Sequence, residues 1–134
     1  EEEQMLLRET KNALFKGIEQ VKPGNRIGDI SNAIEEHAKK YNLAVVEELC
    51  GHGIGKKVHE DPNVLNYGKP HEGPVLKEGR VIAIEPMLNL GTKKIYMLED
   101  DWTIITADNK KSAHFEHTVA VTKDGYEILT GDWR

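Results

Sequence analysis

The chain is short of the features that mark several large functional classes. Its single cysteine, Cys50, cannot close an internal disulfide, so nothing ties it to an oxidising compartment. No apolar run approaches the roughly 20 residues of a membrane span, and no signal-peptide pattern is visible. The sequence therefore leads us to expect a cytoplasmic protein without a membrane partner. Charge of one sign is also lacking. The 18 Lys and Arg are interspersed with 23 Asp and Glu for a net −5, which argues against a nucleic-acid footprint. There is no low-complexity segment, linker or internal repeat. The first residues, Glu1-Glu2-Glu3, include no initiator methionine. Either residues have been removed or the chain begins inside a larger protein.

What is present suits one domain over residues 1–134, large enough to bury about two-thirds of its unfolded surface. Leu6, Leu7, Thr10, Leu14, Ile18 and Val21 recur at helical spacing, and Pro23-Gly24 stops that helix. A second helix is expected over about residues 29–41, with Asp29 as N-cap and Asn42 as its stop. The pattern then changes. Residues 43–46, 80–90, 95–98, 102–106, 113–122 and 127–129 read as strands, with Asp124-Gly125 as a hairpin turn. A long glycine- and proline-rich connection runs through His59 to Gly79. Helices followed by strands indicate an α+β class, two helices packed on a mainly antiparallel sheet.

Three separated signatures carry the chemistry: Gly51-His52-Gly53-Ile54-Gly55 with His59-Glu60-Asp61-Pro62 after it, Ile84-Glu85-Pro86-Met87, and His114-Phe115-Glu116-His117-Thr118. Glycines around His52 permit positive φ and close backbone approach, which would hold the imidazole as a metal ligand; a lone histidine is more often structural. Glu85 lies in a stretch where both faces read as buried, and a buried carboxylate needs a partner: a cation from elsewhere or a metal, since Arg80 reads as solvated. By alternation Glu116 shares a face with His114 and Thr118, opposite Phe115, His117, Val119 and Val121. Two buried carboxylates on different strands repel unless a cation lies between them. One histidine and two carboxylates suit manganese, iron, cobalt or zinc. His59 reads equally as a loop histidine capping a turn or as a group that hydrogen-bonds a substrate carbonyl. His37, His71 and His114 read as surface or structural residues, and Cys50 as a small buried hydrophobe.

The ordered set resembles the methionine aminopeptidases, and among them the bacterial type I form most closely. The similarity runs through Val21-Lys22-Pro23-Gly24, Leu76-Lys77-Glu78-Gly79, Asp101-Trp102-Thr103 and Glu127-Ile128-Leu129-Thr130 as well as the three signatures. Prolidases and proline-specific aminopeptidases share Gly-His-Gly and Ile-Glu-Pro; Met87, the Trp-Thr pair and Phe-Glu-His-Thr look more like the methionine enzymes. The resemblance implies a pita-bread fold, two pseudo-symmetric α+β halves around a two-metal site, with residues 1–134 as the C-terminal half. It implies a metallo-exopeptidase that removes the initiator methionine from nascent proteins, with two divalent ions (Mn, Fe, Co or Zn) in the intact enzyme. By similarity His52, Glu85 and Glu116 are metal ligands, Glu116 bridging and Glu85 also the general base. His59 contacts substrate near the scissile carbonyl, Trp102 lines the methionine pocket with Val58 beside it, and Ser112 stands where some members bind a monovalent cation. The family's two aspartate ligands and a further histidine come from the first half, which this chain lacks, so activity of the fragment alone stays open. Partners implied are nascent N-termini, the ribosome, and the N-terminal half or a second copy of the chain. The alternatives are a non-catalytic pita-bread binding module or a proline-specific aminopeptidase.

Overall fold

The structure, a computed structural model, describes residues 1–100 and 104–131. Two helices come first, α1 (Glu2–Ile18) and α2 (Ile27–Lys40). In α1, Glu2 and Glu3 lie in the first turn and Lys16 in the last, a charge order that complements the helix dipole. Leu6, Thr10, Ala13, Leu14 and Ile18 are all buried. The helix ends before Val21, which is buried beyond its end. α2 starts two residues ahead of the expected Asp29 cap. Arg26 takes the cap position, and Asp29 acts from inside the first turn, where its Oδ2 accepts the Arg26 N–H at 2.8 Å. A carboxylate at that position reaches back to an otherwise orphaned donor. Asn42, with φ of 58°, follows the helix as expected.

Among the described residues ten short strands follow: β1 (Ala44–Val45), β2 (Gly51–Ile54), β3 (Glu60–Val64), β4 (Val81–Ile84), β5 (Met87–Asn89), β6 (Ile95–Met97), β7 (Ile104–Thr106), β8 (Ser112–His114), β9 (His117–Val121) and β10 (Tyr126–Ile128). A five-stranded sheet runs β10-β9-β4-β2-β3, a three-stranded sheet β1-β5-β8, and β6-β7 form a separate hairpin. Every pairing is antiparallel, so the α+β expectation holds. Leu14, Ile18, Ile30 and Ile34 from the helices share one core with Ile82, Ile84, Leu88 and Val119 from the sheets. Among the described residues no helix is long and apolar enough to cross a membrane.

Two differences from the sequence reading shape the site. The first is that β3 lies inside the expected long connection and pairs with β2, so His52 sits on a strand flanked on both sides. The second is that the two long strands expected over 80–90 and 113–122 are each cut in two. The last pair of one sheet is Ile84↔His117 and the first of the other is Met87↔His114. Residues 85–86 and 115–116 therefore face each other where both chains pass from one sheet to the next. Pro86 has no N–H to donate to a ladder, and continuous apolar character in the sequence hides that interruption.

Candidate metal centre

The register of the five-stranded sheet brings the three signatures together. His52 pairs with Ala83 on β4, and Ala83 pairs with Thr118 on β9. Glu85 is two residues beyond Ala83, and Glu116 two residues before Thr118. Because β4 and β9 are antiparallel, both steps run the same way, and the two-residue period keeps both side chains on the face that carries His52. One donor atom from each of His52, Glu85 and Glu116 falls in a cluster whose members lie within 4.8 Å of one another.

The glycines around His52 act by letting strands approach. Among the described residues the positive-φ glycines do not include Gly51, Gly53 or Gly55. Instead a Cβ at Gly51 would run into the Ala83 carbonyl of β4, and one at Gly53 into the Asp61 carbonyl of β3. β2 is thus clamped from both sides, and the imidazole it carries has a fixed origin. The His52 Nδ1 lies 3.0 Å from the Gly53 carbonyl. With Nδ1–H donating there, Nε2 keeps its lone pair for a metal; it points at Glu85 Oε2, 3.2 Å away.

The carboxylates are less enclosed than the apolar sequence around them suggests. The Glu85 side chain keeps 18% of its exposure, and Glu116 is exposed. Both stand at the sheet-to-sheet break, where the flanking strands no longer cover them. The alternation around Glu116 follows the expectation, with His117, Val119 and Val121 buried, Phe115 half-buried, and His114 and Glu116 exposed. The donor set fits a divalent ion. Bonds of about 2.0–2.2 Å place donors on a common ion at most roughly 4 Å apart, a small contraction of the observed cluster, and a cation would cancel the repulsion between the two carboxylates.

His114 joins the site unexpectedly. Its Nε2 is 3.6 Å from Glu85 Oε1. The Glu85 carboxylate beside it raises its pKa, with Glu116 adding and burial opposing. The available signal was its shared face with Glu116. His59 lies beside the cluster: its ring centroid is 4.0 Å from that of His52, tilted by 40°, and it is exposed. Both rings open on a cleft of about 510 Å³ that also reaches Cys50, Lys57, Glu60 and Asp61. Cys50 is only half-buried; burial, then the charge of Glu85, pushes its thiol pKa up. Val58 is 71% exposed. Trp102, with Asp101 and Thr103, lies outside the described residues. The other three histidines are apart: His71 is exposed, His117 is fully buried, and His37 lies between the helices against the buried Glu9, Nε2 to Oε1 at 2.9 Å.

Known proteins resemble this chain in both sequence and fold. A methionine aminopeptidase of Clostridium perfringens is 51% identical over 97% of this chain and 52% of its own length. The crystal structure of methionine aminopeptidase from Rickettsia prowazekii superposes with a TM-score of 0.93 at 46% identity, over 95% of this chain and 52% of that one. A prolidase from Pyrococcus furiosus is more distant, with a TM-score of 0.72 at 25% identity, over 100% of this chain and 34% of that one. The architecture is therefore half of a pita-bread fold, and the chain spans about half the length of the curated relatives it matches. The model of metallopeptidase family M24 matches residues 1–123, from the first helix through the strand that follows Glu116, and the chain belongs to that family.

Proposed function

We propose that this chain is the C-terminal half of a methionine aminopeptidase, acting on the N-termini of nascent polypeptides as they leave the ribosome in the cytoplasm. The observation that carries the reading is the convergence of His52, Glu85 and Glu116 within 4.8 Å, with the His59 ring stacked beside His52. His52 Nε2 and the two carboxylates would hold divalent metal. The remaining donors, two aspartates by similarity, would come from the segment that the relatives carry beyond this chain. When bound, the ions supply Lewis acidity, which lowers the pKa of water and polarises a carbonyl.

The protein residues divide the rest of the work. Glu85 takes a proton from the attacking water as the new C–O bond forms, and returns it to the amine as the C–N bond breaks. Its Oε2 faces His52 and its Oε1 faces His114, so its orientation is set from both sides. His59, exposed on the cleft, donates its ring N–H to the carbonyl oxygen as negative charge develops there. Trp102, with Val58 nearby, would line the pocket for the methionine side chain. A proline-specific specificity is the less favoured reading, because the prolidase likeness is much weaker than that to the methionine enzymes.

The test is release of methionine from a Met-Ala-Ser peptide by the chain joined behind the first half of a methionine aminopeptidase relative, with manganese or cobalt present. Turnover that stops on chelation and in Glu85→Gln is expected. A folded chimera with no turnover, or full activity in Glu85→Gln, would overturn the reading.

A further inference from the structure

Asn66 is fully buried, at 0% exposure, just after β3. Its Nδ2 lies 3.3 Å from the Glu85 carbonyl and 3.3 Å from the Leu49 carbonyl. Both acceptors are main-chain oxygens, so the donor end of the amide must face them. Its Oδ1 has no hydrogen-bond partner among the described residues. The amide is thus held in the interior through its donor end alone, and that end joins two segments that share no ladder at this point. Leu49 is the third residue before His52. Glu85 is the residue at which β4 leaves its sheet, followed by a proline that cannot donate.

We infer that Asn66 is a positioning residue for the metal centre: one buried amide fixes the lead-in to His52 and the backbone of Glu85 relative to each other. The inference rests on the metal-binding reading of those two residues. A carbonyl outside a ladder still needs a donor, and a donor shared between two such carbonyls ties together the segments that own them. Asn63, three residues earlier, pairs with His52 across β2 and β3, so the chain that delivers Asn66 is itself registered to the ligand strand. The side chain contacts the backbone of Glu85 and Leu49 and acts through it.

The test compares Asn66→Asp with the parent 134-residue chain. The substitution keeps the shape but sets a carboxylate oxygen against two carbonyls. Hydrogen exchange should rise in peptides covering residues 47–54 and 81–89 and stay unchanged in β9 and β10. Cobalt(II) affinity, followed by calorimetry and by the visible d–d spectrum, should fall about 10–100-fold, the usual effect of losing a residue that orients a ligand. If Asn66→Asp does not fold by circular dichroism, Asn66→Gln, which moves the donors outward by one methylene, is used with the same expectation. Unchanged protection in both segments with unchanged cobalt binding would overturn the inference, as would a uniform loss of protection across all strands, which marks a purely global effect. His52→Ala serves as the control for the underlying reading. If His52→Ala binds cobalt as tightly as the parent, the metal assignment fails, while the exchange measurement still decides whether Asn66 locks the two segments.

Discussion

Glu85 and Glu116 each stand two residues away from the register pair Ala83↔Thr118, on the same side of it and on the same face of the sheet. Their proximity follows from the register of β4 and β9, carried one residue beyond the last ladder pair, Ile84↔His117. It places two like charges side by side with one imidazole, an arrangement that costs free energy in the absence of a cation.

Divalent metal should therefore stabilise the fold. A ligand that binds only the native state raises stability by RT ln(1 + [L]/Kd), about 2.7 kcal/mol at a hundredfold excess over Kd. Manganese or cobalt should raise the melting temperature of the 134-residue chain, and Glu116→Ala or His52→Ala should remove most of that rise. A thermal scan with and without metal checks this. An equal rise in parent and variants would mean that the ion binds elsewhere.

Gly51→Ala should damage both stability and metal binding, because the added methyl meets the Ala83 carbonyl of β4. Backbone cannot give way as a flexible side chain does, so the strands must separate at the position that carries His52; overpacking of this kind costs typically 1–3 kcal/mol. Gly125→Ala in the β9–β10 turn is the control, since its Cβ would meet nothing within 4 Å. Denaturant melts of the two variants should diverge accordingly.

Much of this site was legible in the sequence because strand alternation has a fixed period. The grouping of Glu116 with His114 and Thr118, and the burial of His117, Val119 and Val121, follow from it directly. What could not be read was the pairing. Nothing local marks residues 115–116 as a crossing between sheets, so His114 did not stand out as a neighbour of Glu85. β3 was hidden because Asp61-Pro62 and Asn63 lack strand propensity; its place is set by pairing to the glycine strand. His37 was not separable from a surface histidine, since its partner Glu9 lies 28 positions away.

That buried pair gives the folded state a specific acid sensitivity. Burial alone would raise the Glu9 pKa, but hydrogen bonds from Arg8, Asn12 and His37 outweigh it and the net shift is downward from 4.5. A carboxylate whose folded pKa is depressed contributes stability above its unfolded pKa and loses it as pH falls through the folded value. Glu9→Gln should therefore lower stability at pH 7 by about 1–3 kcal/mol and flatten the decline below about pH 4.5. Urea melts across pH 3–7 would reveal the difference; parallel curves for parent and variant would show that Glu9 carries no acid-linked stability.

His59 and His52 are adjacent rings with different proposed duties, and substitution should separate them. His52 has its Nε2 3.2 Å from Glu85 Oε2 within the donor cluster, whereas His59 is outside that cluster and exposed on the cleft. His59→Ala should leave cobalt affinity close to the parent's, because neither a ligand nor a residue that orients one is lost. In the complemented enzyme it should lower kcat by about 10²–10³, the usual loss on removing one donor to a developing oxyanion. KM should change less, because a bond that strengthens as charge develops contributes little to ground-state binding. The measurement is calorimetric metal titration beside steady-state kinetics on Met-Ala-Ser. A His59→Ala variant that loses metal as His52→Ala does would place His59 among the ligands, and one that keeps full kcat would remove it from the reaction.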